Sequence, residues 1–216
     1  VRERQANGPF DSLESIIERT GLGLEQCLLL IRCGGFRFTG KNPQQLQWEA
    51  HFLLGHTKKD TSDATLFTPD ITRFHLPRLE ANDLETAFDQ IELFGFPLVS
   101  PFRLLTEDAQ AIAQRAVRSE ALVDCIGREV EVVGYLVTVK ETHTARRERM
   151  SFGCFVDAEG AWLDTVHFPP SLRQFAFRGR GIYRVRGPVK EEFGCIHVEA
   201  AFMEKLAYIP DPRYAE

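Results

Sequence analysis

The chain has 216 residues, 44% hydrophobic and 26% charged, with a formal net charge of −5. That length and apolar content suffice for one or two domains with real cores. The acidic balance excludes a wholesale basic nucleic-acid binder and leaves room only for local basic faces.

Several other classes find no support. The sequence has no long apolar run and no signal-peptide pattern, so nothing points to a membrane or to secretion, and a cytoplasmic location is expected. The cysteines at 27, 33, 125, 154 and 195 form no CxxC pair and no Cys/His cluster at zinc spacing, and read as scattered reduced thiols. His56, His75, His143, His167 and His197 have no metal partners at ligand spacing, which fits surface or packed histidines. No metal and no cofactor is therefore expected. The chain opens without Met on "VRERQANGPF", which suggests a fragment of something longer.

Residues 1–56 read as helical. "DSLESIIER" has Asp11 or Ser12 as N-cap and Leu13, Ile16 and Ile17 at helical spacing; "LEQCLLLIRC" follows after "TGLG" and stops at Gly34-Gly35. "NPQQLQWEAHFLLG" starts a third helix with Pro43 in its first turn and Gly55 as its stop. Two helices joined through Gly21 and Gly23 suggest a helix-hairpin-helix, in which glycines let the backbone approach a phosphate and the next helix offers free N–H groups. An ordinary glycine turn between packed helices explains the same four residues. The segment is electrically neutral, with six basic and six acidic residues, and Arg19 stands where such motifs usually carry an apolar side chain.

Residues 57–82 read as a linker, with Pro69, Pro77 and no sustained period. Within it, "TKKDTSDATLFTPDIT" sets Leu66 and Phe67 among polar and turn-forming residues, which favours docking over a core role. Residues 83–124 form a helical connector. "NDLETAFDQIELFG" has Asn82 or Asp83 as cap, Leu84, Phe88 and Ile91 on one face and Gly95 as stop, and a second helix covers about 106–118.

From 125 to 208 the pattern is strand, followed by a tail at 209–216. "REVEVVGYLVTVKETHT" has the valines and internal glycine of a long, bent first strand in a small barrel. "RMSFGCFVDAEGAWLDTVHF" is two strands joined at "DAEG", "PPSLRQFAF" a short helix, and "GIYRVRGPVKEEFGCIHVEAAFMEKL" two more strands around "EEFG". Five strands with a helix between the third and fourth match an OB-fold, so the chain is expected to be α+β, helical first and barrel second.

Alternation in the second strand sends Phe152 and Phe155 to opposite sides; if Phe155 fills the barrel, Phe152 is free to stack on a base. Lys140, Arg146, Arg147, Arg149, Arg184 and Arg186 are the candidate phosphate contacts. The alternative is a solvated barrel surface, since such residues are mostly exposed in any case. Residues 119–208 carry twelve basic and thirteen acidic side chains, so binding requires the positive ones to be segregated.

"GPFDSLESIIERTGLGLEQCLLLIRCGGFRFTGKNPQQLQWEA", "IELFGFPLVSPF" and "REVEVVGYLVTVKETHTARRERMSFGCFVDAEG", in that order, resemble the C-terminal part of the bacterial DNA polymerase III alpha subunit. The resemblance implies a helix-hairpin-helix domain that contacts duplex DNA, truncated here at its first half, then a peptide that binds the sliding clamp, then an OB domain near the single-stranded template. Clamp peptides in this family carry a leading Gln and a Leu-Phe end; "DATLF" lies in that place, with Asp63 at the Gln position and Leu66 and Phe67 as the apolar anchors. The family often shows "SGHP" where this chain has "FPLVSPF". Polymerase carboxylates that hold metal ions lie in a palm domain far upstream, and Asp157 and Glu159 read as turn formers, so no catalytic residue and no nucleotidyl transfer is expected in this segment. Other replisome subunits are possible partners. A barrel acting only on proteins, or an error-prone alpha-like parent, is the alternative.

Overall fold

A computed structural model describes residues 1–55 and 82–214. Contacts divide the chain into Val1–Leu93 and Phe94–Glu216, so the stretch 83–124 is shared between the two units.

The first unit contains α1 (Arg2–Asn7), α2 (Leu13–Thr20), α3 (Leu24–Arg32), α4 (Pro43–Gly55) and α5 (Asp83–Phe94). Ser12 caps α2, its side-chain oxygen accepting the Ser15 N–H at 3.1 Å. Asn82 caps α5 in the same way, accepting the Leu84 N–H at 3.0 Å. Leu13, Cys27, Ile31, Phe36, Leu46 and Ala50 make the core that joins α2, α3 and α4. On α5 the expected Leu84, Phe88 and Ile91 face is only half-buried, whereas Ala87, Asp89 and Gln90 are buried. The reason is an ion pair: the Arg32 guanidinium donates to Asp89 Oδ1 through Nε at 2.9 Å and Nη2 at 2.7 Å, and also pairs with Glu92. A paired charge thus sets the rotation of α5.

The second unit opens with a 3-10 turn at Pro101–Leu104, then α6 (Glu107–Arg115) and a second 3-10 stretch at Ser119–Cys125. The strands are β1 (Glu129–His143), β2 (Arg149–Val156), β3 (Trp162–His167), β4 (Ile182–Glu192), β5 (Cys195–Glu199) and β6 (Phe202–Lys205), with α7 (Pro169–Gln174) between β3 and β4. The hydrogen-bonded order is β1-β2-β3-β5-β4, and β4 pairs back onto β1, closing the barrel; β3 and β5 are parallel and the other pairings antiparallel. This is the connectivity of an OB barrel.

β1 spans the barrel. Its residues 129–135 pair with β4 and its residues 135–143 with β2, with a register irregularity between Leu136 and Thr138. Val130, Val132, Leu136, Phe155, Leu163, Tyr183, Val185, Val189 and Val198 fill the interior. A second cluster of Leu105, Ala109, Val133, Ile182 and Leu206 lies under α6, on the outer side of β1 and β4.

The sixth strand is a departure from the expected five. The chain leaves β5 at Ala200 and Ala201, whose N–H groups donate to Val166 O at 2.8 Å and Arg186 O at 2.9 Å, and Phe202–Lys205 then pairs with β4. Sequence reading ran these residues into β5 because no turn residue separates them.

His167 is fully buried at the end of β3. The Thr165 hydroxyl donates to Gly153 O at 3.1 Å and so accepts from His167 Nε2–H at 2.8 Å, leaving Nδ1 unprotonated and without a partner among the described residues. Burial lowers its pKa from 6.5 to about 4. A depressed histidine binds its proton more readily in the unfolded chain, so stability is fully present above the ordinary value and is lost as pH falls through the folded one. Urea denaturation of this protein should lose about 3 kcal/mol to this group between pH 6.5 and pH 4, and the wild-type minus His167→Gln difference should shrink across that window; a difference that stays constant with pH would refute this.

Candidate nucleic-acid interface

Alternation along β2 turns Ser151, Gly153 and Phe155 inward and Met150, Phe152, Cys154 and Val156 outward. Phe155 is fully buried among Phe177 and Tyr183, while Phe152 is 43% exposed on the outer face. Lys140 of β1 is the direct cross-strand partner of Phe152, and it too is exposed. An aromatic ring and an ammonium group therefore stand side by side, placed by backbone register.

The β1–β2 turn carries Arg146 and Arg147. It is closed by the Thr144 N–H donating to Glu148 O at 2.9 Å and the Arg147 N–H donating to Thr144 O at 2.8 Å, with Arg147 at φ 60°. Lys140, Arg146 and Arg147 make no ion pair among the described residues. Arg149 begins β2 at the same end but pairs with Glu141 across the strands. The predicted residues Lys140, Arg146, Arg147, Arg149 and Phe152 are thus brought together at one end of the β1–β2 ladder.

Arg184 and Arg186 are not part of that group. They lie on β4, which neighbours β1, β5 and β6 but not β2. Arg184 is held between Glu204 at 3.0 Å and Glu131 at 2.5 Å, and these carboxylates, Glu131 first, raise its pKa above the ordinary arginine value. Arg186 faces Glu129 at 3.5 Å and packs over the Phe202 ring. The expectation that β4 supplies phosphate contacts beside Phe152 is corrected: register sets both arginines opposite acidic residues of β1 and β6. Sequence alternation showed that they share a face but not what lies across from it.

Two exposed aromatics escaped the sequence reading. Trp162 opens β3 opposite Val156 and is 65% exposed, and Phe193 is fully exposed at φ 53° in the β4–β5 turn. Positive φ is uncommon for so bulky a residue. The parallel β3–β5 register, Thr165 opposite Val198, sets the start of β5 at the same end of the sheet as the start of β3. Cations therefore stand at one end of the sheet and the exposed rings of Trp162 and Phe193 at the other. Alternation from buried Leu163 was the signal available for Trp162, and the Gly following Phe193 the signal for the turn.

Between these ends the face is less basic. Asp164 lies opposite Cys154 on β3. Burial and then the Asp164 carboxylate push the Cys154 thiol up to about 11, so it is no thiolate nucleophile at neutral pH. Asp157, at the β2–β3 turn, is pushed up by burial and pulled below the usual range by N–H groups of Ser119, Ala161 and Glu159, which is the behaviour of a turn former. Among the described residues no group of three His, Cys, Asp or Glu side chains is placed to hold a metal.

In the helical unit, Gly21 ends α2 at φ 66° and Gly23 is the N-cap of α3. The Gly23 N–H already donates to Gln26 Oε1 at 3.2 Å, and Glu25 lies in the first turn, where its charge opposes an approaching anion. Arg19 reaches back to Glu3 Oε1 at 3.0 Å and Gly8 O at 3.0 Å and covers the Phe10 ring, so it ties α1 and its turn to α2. The candidate clamp residues Asp63, Leu66 and Phe67 lie outside the described residues.

No family model matches this sequence, and no curated protein matches it. Among solved structures the chain is similar to the Stn1–Ten1 complex of S. pombe, with 17% identity and a TM-score of 0.31 over 36% of this chain and 57% of that one. It is also similar to Rim1, a mitochondrial single-stranded DNA binding protein of S. cerevisiae, with 13% identity and a TM-score of 0.30 over 38% and 96% of the two chains. A nucleic acid-binding lipoprotein of Klebsiella pneumoniae gives 12% identity and a TM-score of 0.31 over 47% and 84%. Likenesses this distant add nothing to the strand connectivity described above.

The two classes of arginine are separable by stability. Arg184→Ala leaves Glu131 and Glu204 without their cation and should cost about 1 kcal/mol in urea denaturation, the figure being small because the pair is partly solvated. Arg146→Ala and Arg147→Ala should each stay within about 0.5 kcal/mol. Equal costs would contradict the division.

Proposed function

We propose that the barrel unit binds single-stranded DNA along the outer face of β2 and β3. The observation that carries this reading is the pairing of exposed Phe152 with exposed Lys140, next to a turn whose Arg146 and Arg147 have no ion-pair partner among the described residues. Phosphates need cations that are not already neutralised, and stacking needs a ring that the fold leaves uncovered. Asp164 in the middle of the face repels phosphate, so the bases rather than the backbone run over β2 and β3. Trp162 and Phe193 continue the stacking surface toward the far end.

The resemblance in sequence extends the proposal. The chain is then a noncatalytic C-terminal segment of a bacterial DNA polymerase III alpha subunit, with no cofactor of its own and with the sliding clamp as a partner through Asp63, Leu66 and Phe67. The turn at Gly21 and Gly23 supports a duplex contact less well, because Gln26 occupies one N–H and Glu25 opposes the phosphate charge. The proposal therefore rests on the barrel.

Oligothymidylate titration at several salt concentrations tests the barrel. Single-strand binding loses about 0.7 in the log–log salt slope per phosphate neutralised, so three free cations should give a slope near −2. Phe152→Ala should weaken binding by about 1–3 kcal/mol with the slope unchanged, and the Arg146→Ala, Arg147→Ala double change should flatten it. Binding indifferent to salt and to Phe152 would select a protein-interaction role instead. For the clamp, Leu66→Ala with Phe67→Ala should abolish capture of the chain by a bacterial sliding clamp in surface plasmon resonance; undiminished capture would remove that partner.

A further inference from the structure

Beyond the β2–β3 face lies a groove of about 630 Å³ between the barrel and the segment that precedes it, lined by Phe96, Phe102, Tyr135, Val137, Val156 and Arg180 among others. Phe96 and Val137 are exposed in it. The wall is mostly aromatic and aliphatic, and it contains one cation with no carboxylate partner among the described residues. Arg180 Nη1 donates to Gly95 O at 3.1 Å, and its guanidinium carbon stands 6.0 Å from the Phe96 ring centre. A backbone carbonyl thus orients the guanidinium without neutralising it. Of the groove's two carboxylates, Glu159 pairs with Arg118 at 3.2 Å, while Asp157 keeps its charge and accepts the N–H groups of Ser119, Glu159 and Ala161 at its turn. Arg180 is the one cation in the groove's lining, on the side of Phe96.

The groove is continuous with the interface. Val156, in its wall, is the direct partner of Trp162 and sits on the same outward column of β2 as Phe152, four residues along. At about 3.3 Å per residue that separates Phe152 from Val156 by roughly 13 Å. At about 3.4 Å per stacked nucleotide, and more when extended, that span is roughly two to four nucleotides, which fits inside the range of about 4–16 nucleotides that one barrel of this type covers. The strand that starts at the β1–β2 turn and crosses Phe152 therefore meets Trp162 and then the groove.

We propose that this groove is an end pocket for the single strand, in which one unstacked base lies against Phe96, Val137 and Val156 and the adjoining phosphate is held by Arg180. The inference rests on the single-strand reading of the β2–β3 face. It adds that the footprint extends past the barrel onto the 96–102 segment, so affinity depends on strand length in a way that one sheet face alone does not produce.

The test is a length series of oligothymidylates, from about 2 to 16 nucleotides, titrated against the whole chain and its variants. For the wild type, affinity should step up at the length that spans from Phe152 to the groove. Arg180→Ala should remove that step, weakening long oligonucleotides about tenfold and leaving the shortest unchanged. Arg180→Gln, which keeps a donor for Gly95 O but not the charge, should behave alike and guards against a folding effect, while Phe152→Ala should weaken every length. If Arg180→Ala and Arg180→Gln leave all lengths unchanged while Phe152→Ala weakens them, the end pocket is overturned and the interface stands. If the wild type binds no length, both fall. If Arg180 is required only for an acidic apolar peptide, with no length step on oligonucleotides, the groove belongs to a protein partner and the base pocket is refuted.

Discussion

The barrel depends on one strand serving two neighbours. β1 pairs with β4 through its first half and with β2 through its second, and it must bend where it passes from one to the other. Gly134 stands at that bend. A Cβ there would lie 2.7 Å from Phe155 Cβ and 3.2 Å from Leu163 Cδ2, so only glycine lets β1 close down on the ring at the centre of the core. The register irregularity between Leu136 and Thr138 completes the turn of the strand. Everything outside the barrel is sorted by this bend, because it splits the outer surface of β1 into a half shared with β4 and a half shared with β2.

The two halves differ in charge pairing. Along β4 the acidic residues of β1 and β6 lie across from Arg184 and Arg186 and take up their charge, and α6 covers the neighbouring Val133 and Ile182. Along β2 the ladder ends in a turn where Arg146 and Arg147 form no ion pair among the described residues, while Glu141 and Glu148 pair with Arg149 and Arg173. An acidic protein can therefore present a local positive site without being basic overall, because Lys140, Arg146 and Arg147 are left out of the ion pairs among the described residues that take up Arg149, Arg184 and Arg186. The same division appears in the helical unit, where Arg19 and Arg32 act within the structure, one tying α1 to α2 and the other fixing α5.

Rigidity follows the same plan. Phe152 and Lys140 are set by strand register, which leaves little freedom in their spacing, whereas Arg146, Arg147 and Phe193 stand on turns that can adapt to a flexible strand. A fixed ring and cation with adjustable cations and a ring at the two ends suit a ligand with repeating chemistry and no fixed shape.

Sequence by itself determined most of the elements and, along β2, which residues share a face. A cap at Asp11 or Ser12 and another at Asn82 or Asp83, the helix from Pro43 to Gly55, the long bent first strand and the opposite placement of Phe152 and Phe155 were all legible, because helix caps and strand alternation are local properties of the chain. The partner of each outward residue was not. Whether an arginine on a strand meets a phosphate or a glutamate depends on which strand lies beside it and in what register, and those are set by barrel closure between segments distant in sequence. For that reason Arg184 and Arg186 looked the same as Arg146 and Arg147 until the tertiary structure paired the first two with Glu131, Glu204 and Glu129 and left the second two without an ion pair among the described residues. The rotation of α5 by Arg32 and the sixth strand belong to the same class: each is decided by a contact between parts of the chain that no local pattern connects.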